Sequence, residues 1–292
     1  MSLYASSSFS ARARTAARAF AIGASVFLAS KAAGHDYWLL PDMFAFPANT
    51  SIHVGGRQGT RFPEGRAIEA ARIIDARIIG ASSDMKITDM SVEGTSLRMH
   101  HKPTTAGQYL VAIRLTPRTL RTPPEGVIRF LRTESGVSEA ARLEREKPLA
   151  GLDTVIYTAT SYAATVVQVG ADGPRAFSKT AGFPLEFVPI NDPAHLHVGD
   201  TLHIAVVGGG KPVPNIGIDA LPAADTTAGA DATAVKSIVT VNADAKGIVH
   251  LPLTKAGPWM LRSAYASHKN GGAANEWDVS RASYVVHVGA KH

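Results

Sequence analysis

The sequence contains no cysteine. That absence removes disulfides, thiolate metal sites and cysteine nucleophiles together, so any metal site has to be built from imidazole, carboxylate, thioether or backbone groups. Long apolar runs are also missing: the longest, Ala19 to Ala29, is about half of the ~20 residues that a membrane-crossing helix needs. Nor is there a Gly-x-Ser-x-Gly elbow, a His-Glu-x-x-His pair, a phosphate-cradling Gly-Lys-Ser/Thr loop or a dinucleotide fingerprint. The residues therefore support no enzyme.

What is present begins with a leader. Arg12, Arg14 and Arg18 precede the apolar run, and small residues close it at Ala32-Ala33-Gly34, the layout of a secretory signal peptide cleaved after residue 34. Export to the periplasm follows. The leader carries four of the basic residues (Arg12, Arg14, Arg18, Lys31) and no acid, so its removal lowers the formal charge from +6 to 6 − 4 = +2. A nearly balanced mature chain lacks the concentrated basic face that nucleic acid requires.

Cleavage there makes His35 the new N-terminus. A terminal histidine offers a free α-amine and an imidazole nitrogen on one residue, and the two can chelate a transition metal as a bidentate pair. With an unperturbed pKa near 8, the amine gives up its proton to a metal near neutral pH.

From His35 onward, short alternating or apolar runs are broken by Gly, Pro, Asn and Asp, the pattern of an antiparallel β-protein. Strands are expected at Tyr37–Leu40, Ser51–Gly55, Ala70–Ile79, Ser96–His100, Tyr109–Leu115 and Thr154–Val169. A second series covers Thr201–Val207, Val213–Ala220, Ala234–Val241, Ile248–Leu253, Trp259–Ala266 and Ala282–Val288. One helix is expected at Ser138–Lys147. The prolines at 117, 123 and 124 predict a loop over Thr116–Gly126, and Ala223–Thr233 reads as a second loop. The change of texture after Asn191-Asp192-Pro193 sets a boundary, giving a signal peptide (1–34) and domains at 35–190 and 191–292. Trp38, Trp259 and Leu261 alternate onto apolar faces and are expected in the core.

The eleven histidines are the main chemical resource. His100 and His101 are consecutive, so on a strand their rings point to opposite faces and cannot share one ion. His195 and His197 share a face in a stretch that reads as a linker. His203, His250 and His287 lie on expected strands as satisfied or solvent-facing residues. His268 opens a Gly-rich loop at the end of a strand, and His53 precedes Gly55-Gly56. The expected metal site is His35, completed by His268 and then by His100 or His101.

Three stretches occur in a fixed order: HDYWLLPD after the leader, FSKTAGFPLEFVPINDP (Phe177–Pro193), and GKPVPNIGIDA followed by NADAKGIVHLPLTKAGPWMLRSAY (Gly210–Ala220 and Asn242–Tyr265). Together they resemble the NikM-like family of exported proteins associated with nickel or cobalt uptake. The last stretch also resembles transthyretin-like or carboxypeptidase-regulatory sandwiches. The resemblance implies an all-β protein of two β-sandwich domains, Ig-like or transthyretin-like. It also implies a periplasmic component binding a divalent transition metal, nickel or cobalt with copper or zinc as alternatives, and partner transporter components in the inner or outer membrane. The competing readings are a metal-free binding or adhesion module and a copper oxidoreductase with a histidine brace on His35.

Overall fold

Period-2 alternation decides most of the architecture, because each strand has one face to bury. The computed structural model describes residues 36–134, 136–223 and 238–291. The expected signal peptide, His35 and most of the 223–233 loop lie outside the described residues. Nineteen strands are present among the described residues. They are β1 (Asp36–Pro41), β2 (Ala45–Phe46), β3 (Ile52–Gly59), β4 (Arg66–Ala67), β5 (Ile73–Ile79), β6 (Asp84–Lys86), β7 (Met90–Glu93), β8 (Ser96–His101), β9 (Gly107–Leu115), β10 (Arg118–Thr122) and β11 (Val155–Val169). The series continues with β12 (Leu185–Pro189), β13 (Thr201–Gly208), β14 (Lys211–Pro212), β15 (Gly217–Pro222), β16 (Val239–Asn242), β17 (Ile248–Pro252), β18 (Gly257–His268) and β19 (Glu276–Val288). Two helices, α1 (Pro124–Thr133) and α2 (Val137–Glu146), stand between β10 and β11.

The central layer is a ten-stranded sheet running β16-β15-β18-β19-β11-β9-β5-β6, with β10 and β2 also on β11. Its two faces are covered by different sheets. In β9, Tyr109, Val111 and Ile113 pack under the five-stranded sheet of β1, β3, β4, β7 and β8, against Leu39, Ile52, Val54, Leu97 and Met99. Leu110 and Ala112 point the other way, into the core made with Leu185, Leu202, Ile204 and Val249 of the four-stranded sheet of β12, β13, β14 and β17. The result is three β layers. The fold is an all-β sandwich.

Trp38, Trp259 and Leu261 are buried, and the Trp259 indole donates to Lys255 O at 2.9 Å. Strands from both sides of residues 190–191 share the central sheet through the parallel β11–β19 ladder, and the described residues belong to one compact unit.

Three local expectations are corrected. Residues 116–126 are not a loop: Arg118–Thr122 form β10 against β11, and α1 starts at Pro124. Pro123 and Pro124 occupy the N-cap and first helical position, where a missing N–H breaks no helical hydrogen bond. The second helix, α2, is the one expected, so the region holds two helices rather than one. Both cover β11, β18 and β19 through Val127, Leu131, Ala140 and Leu143 on Tyr157, Ala264, Trp277 and Val279. Glu139, buried in α2, accepts from both Nε and Nη2 of Arg142 (2.8 and 2.6 Å) and from Ala266 N–H at 2.8 Å, fixing the helix to β18. In the 213–220 run the strand begins only at Gly217, because Asn215 turns the chain at a φ of 60°.

Candidate metal centre

His53 and His100 face each other across the β3–β8 ladder. His53 O accepts from Asp42 N–H on the β1 side, and His100 N–H donates to Asp89 O on the β7 side. Neither backbone bonds toward the other, so this is a non-hydrogen-bonded pair, the type in which Cα atoms come closest, at about 4.5 Å. Ile52, Val54, Leu97 and Met99 turn into the core, which sends the two rings outward. They meet edge to face with centroids 4.9 Å apart at 76°. Their Nδ1 atoms are 2.7 Å apart.

A carboxylate stands behind the pair. Glu93 Oε1 is 3.2 Å from His100 Nε2 and accepts from Ser91 Oγ at 2.9 Å. The Ser91 hydroxyl, then His100 and Arg98, hold the Glu93 carboxyl below its ordinary range, so it is ionised at neutral pH. An ionised Glu93 draws the Nε2–H of His100, which leaves Nδ1 of the neutral ring as a lone pair facing His53. Carboxylate–imidazole pairs of this kind fix tautomer and ring direction behind metal ligands.

Neighbouring His101 projects to the other side of β8, as alternation requires. Its Nε2 is buried without a hydrogen-bond partner, and burial pushes its pKa down. It does not join His100. His268 ends β18, where its Nε2 is 2.9 Å from Ala273 O and its ring meets Trp277 edge-on at 5.9 Å. It belongs to the central sheet and the structure does not bring it to His100.

The residue after His35 is firmly held. Asp36 pairs with Arg262 and, at 3.9 Å, with Arg281; Arg262 also reaches Asp219 at 3.5 Å, and Arg281 pairs with Glu134. Asp36, Tyr37, Glu134, Ser161, Arg262 and Arg281 line a small pocket there, and no histidine among the described residues is on its walls. Among the described residues, no three of His, Asp and Glu converge to enclose an ion. The His53–His100 arrangement is a pair of facing imidazole nitrogens with a carboxylate behind one of them.

A second pair has the same form. His203 of β13 faces His250 of β17, with Nδ1 atoms 2.7 Å apart and ring centroids 4.9 Å apart at 76°. Elsewhere, His195, His197 and His287 line a cavity of about 780 Å³ with Asp42, Phe44 and Arg175. The Phe44 and His287 rings lie 5.2 Å apart, tilted by 32°, and burial lowers the His287 pKa.

A family model described as a domain of unknown function, DUF4198, matches residues 32–267. The chain belongs to this family. None of the curated proteins matches the DUF4198 chain. Among solved structures it is similar to Salmonella α-2-macroglobulin, with 11% identity, a TM-score of 0.24, and coverage of 87% of this chain and 15% of that one. A DUF4785 family protein from Legionella pneumophila gives 6% identity, a TM-score of 0.22, and coverage of 76% and 50%. The Yersinia pseudotuberculosis adhesin InvE gives 12%, 0.20, and coverage of 86% and 58%. The DUF4198 chain therefore spans less than two thirds of each of these proteins, at scores too low to carry an argument.

Neither the pairing of His53 with His100 nor the place of Glu93 behind it follows from local patterning of the sequence. One signal was available. Ser51-Ile52-His53-Val54 is echoed by Thr201-Leu202-His203-Ile204, and each of these histidines is followed by another at the same interval of 47 residues.

Proposed function

We propose that this DUF4198 protein is an exported, periplasmic β-protein that binds a divalent transition metal as cargo and presents it to a membrane transporter. The observation that carries the reading is the His53–His100 pair, with its two Nδ1 atoms 2.7 Å apart and Glu93 on the outer nitrogen of His100. Two imidazoles bound to one ion at about 2.0–2.1 Å each stand roughly 3 Å apart when adjacent. The pair needs to open by only a few tenths of an ångström. Ligation by nitrogen without thiolate suits Ni(II), Cu(II) and Zn(II), and the NikM-like resemblance of the sequence favours nickel or cobalt.

Two protein ligands leave coordination positions for water or for a receiving protein. That suits delivery better than permanent storage. In the same reading the free amine and imidazole of a processed His35 form a further chelating pair at a chain end anchored through Asp36. No helix among the described residues is long and apolar enough to cross a membrane; in this reading partner transporter components carry the metal across.

The test is calorimetric titration of the protein beginning at His35 with nickel, cobalt, copper and zinc. Saturable binding that loses one equivalent in His53→Gln and in His100→Gln supports the proposal. Binding unaffected by both substitutions removes the pair from the function.

A further inference from the structure

We infer that His203 and His250 form a second metal-binding site for a divalent transition metal, independent of the first and on the opposite outer face of the molecule. This inference rests on the reading that the His53–His100 pair binds metal, because it extends the same chemistry to a second place.

The two sites share their strand pairing and the geometry of their rings. His203 N–H donates to Asn191 Oδ1 at 2.7 Å, and its carbonyl accepts from Ile190 N–H at 2.8 Å. Both backbone groups are thus committed to the side away from β17. His203 and His250 are therefore a non-hydrogen-bonded pair, like His53 and His100, and such pairs bring side chains closest. Leu202, Ile204, Val249 and Leu251 are buried beneath them, which forces both imidazoles to the outside.

The second site also has its carboxylate. Asp244 Oδ2 lies 3.7 Å from His250 Nε2. Asp244 is itself held in place, since Oδ1 accepts from Lys246 N–H and Ile248 N–H at 2.8 and 2.9 Å. The Ile248 N–H first, then the Lys246 N–H and His250, keep its carboxyl below the ordinary range. Asp244 stands beyond direct hydrogen-bond reach of Nε2 in this geometry, a charge beside the ring, and His250 Nδ1 faces His203 Nδ1 at 2.7 Å.

Strand order explains the duplication. In the five-stranded sheet β3 lies between β1 and β8, and in the four-stranded sheet β13 lies between β12 and β17. Each site sits on the inner strand of its sheet and one neighbour. Because those sheets cover opposite faces of the central layer, an ion at one site does not contact the other. Occupancies are therefore additive and not cooperative.

The experiment measures bound nickel by equilibrium dialysis and elemental analysis on the protein beginning at His35, for wild type, His100→Gln, His250→Gln and the double variant. Both rings point outward, and circular dichroism with a melting curve verifies folding of each variant. The inference expects each single variant to lose one equivalent and the double variant to lose two. Loss of one equivalent in His100→Gln with none in His250→Gln overturns the second site and leaves the first. No loss in either variant overturns both. Loss only in His250→Gln upholds this site and overturns the proposed role of His53 and His100.

Discussion

His53 and His100 meet Nδ1 to Nδ1 at 2.7 Å because the backbone of each is bonded to the strand on its outer side, leaving the two residues to face each other through side chains alone. Glu93 then determines which nitrogen of His100 is available. The chemistry of the site follows from these two constraints.

Replacing Glu93 by Gln keeps the shape of the side chain and removes its charge. The expected result is a loss of about 10–100-fold in metal affinity, the usual effect of removing a partner behind a ligating histidine. Glu93 is exposed on the edge strand β7, so the melting temperature is expected to stay within a degree of wild type. Titration calorimetry beside a melting curve checks both statements.

Metal affinity should fall steeply as the pH drops from about 8 to 5, because protons compete with the metal for the imidazole nitrogens. Titration at a series of pH values reads this directly. A flat profile rules out imidazole ligation.

Stability has its own pH dependence through His101. Burial lowers its pKa in the folded state from 6.5, so the unfolded chain binds more protons in the window just below that value. Stability is complete above about pH 6.5 and is lost as the pH falls toward the folded pKa. Burial acts in the same direction on His287. His101→Gln should therefore show a smaller drop in melting temperature between pH 7.5 and 5.5 than wild type.

Much of the fold was legible in the sequence because alternation reports which residues are buried. Tyr37–Leu40, Tyr109–Leu115 and the long run through Val167 appear where the pattern puts them, and His100 and His101 do point to opposite faces. Alternation does not report partners. The parallel pairing of β11 with β19 joins residues more than a hundred positions apart, and no local pattern encodes it. The same holds for His53 opposite His100, which depends on register alone. Helix α1 was hidden for a different reason: Pro123 and Pro124 read as breakers although a helix start accommodates them. Glu93 was invisible as a site residue because nothing in Met90–Glu93 marks it beyond its charge.

Two packing predictions test the frame that carries the site. Trp259→Ala should cost about 3 to 5 kcal/mol, since the ring is buried between the central and four-stranded sheets. Glu139→Ala should cost about 1–3 kcal/mol, because it leaves the buried Ala266 N–H without its acceptor, while Arg142 keeps Glu146 and Ala266 O as partners. Chemical denaturation of each variant gives the values, and a change below 1 kcal/mol in either contradicts the packing described.

The most direct measurement is long-range proton–nitrogen NMR of the histidine rings during titration with zinc, which is diamagnetic. The account predicts that the Nδ1 resonances of His53 and His100 shift together and saturate at one ion per pair, while His100 Nε2 keeps its proton. Zinc binding that leaves both Nδ1 resonances at their metal-free positions would contradict it.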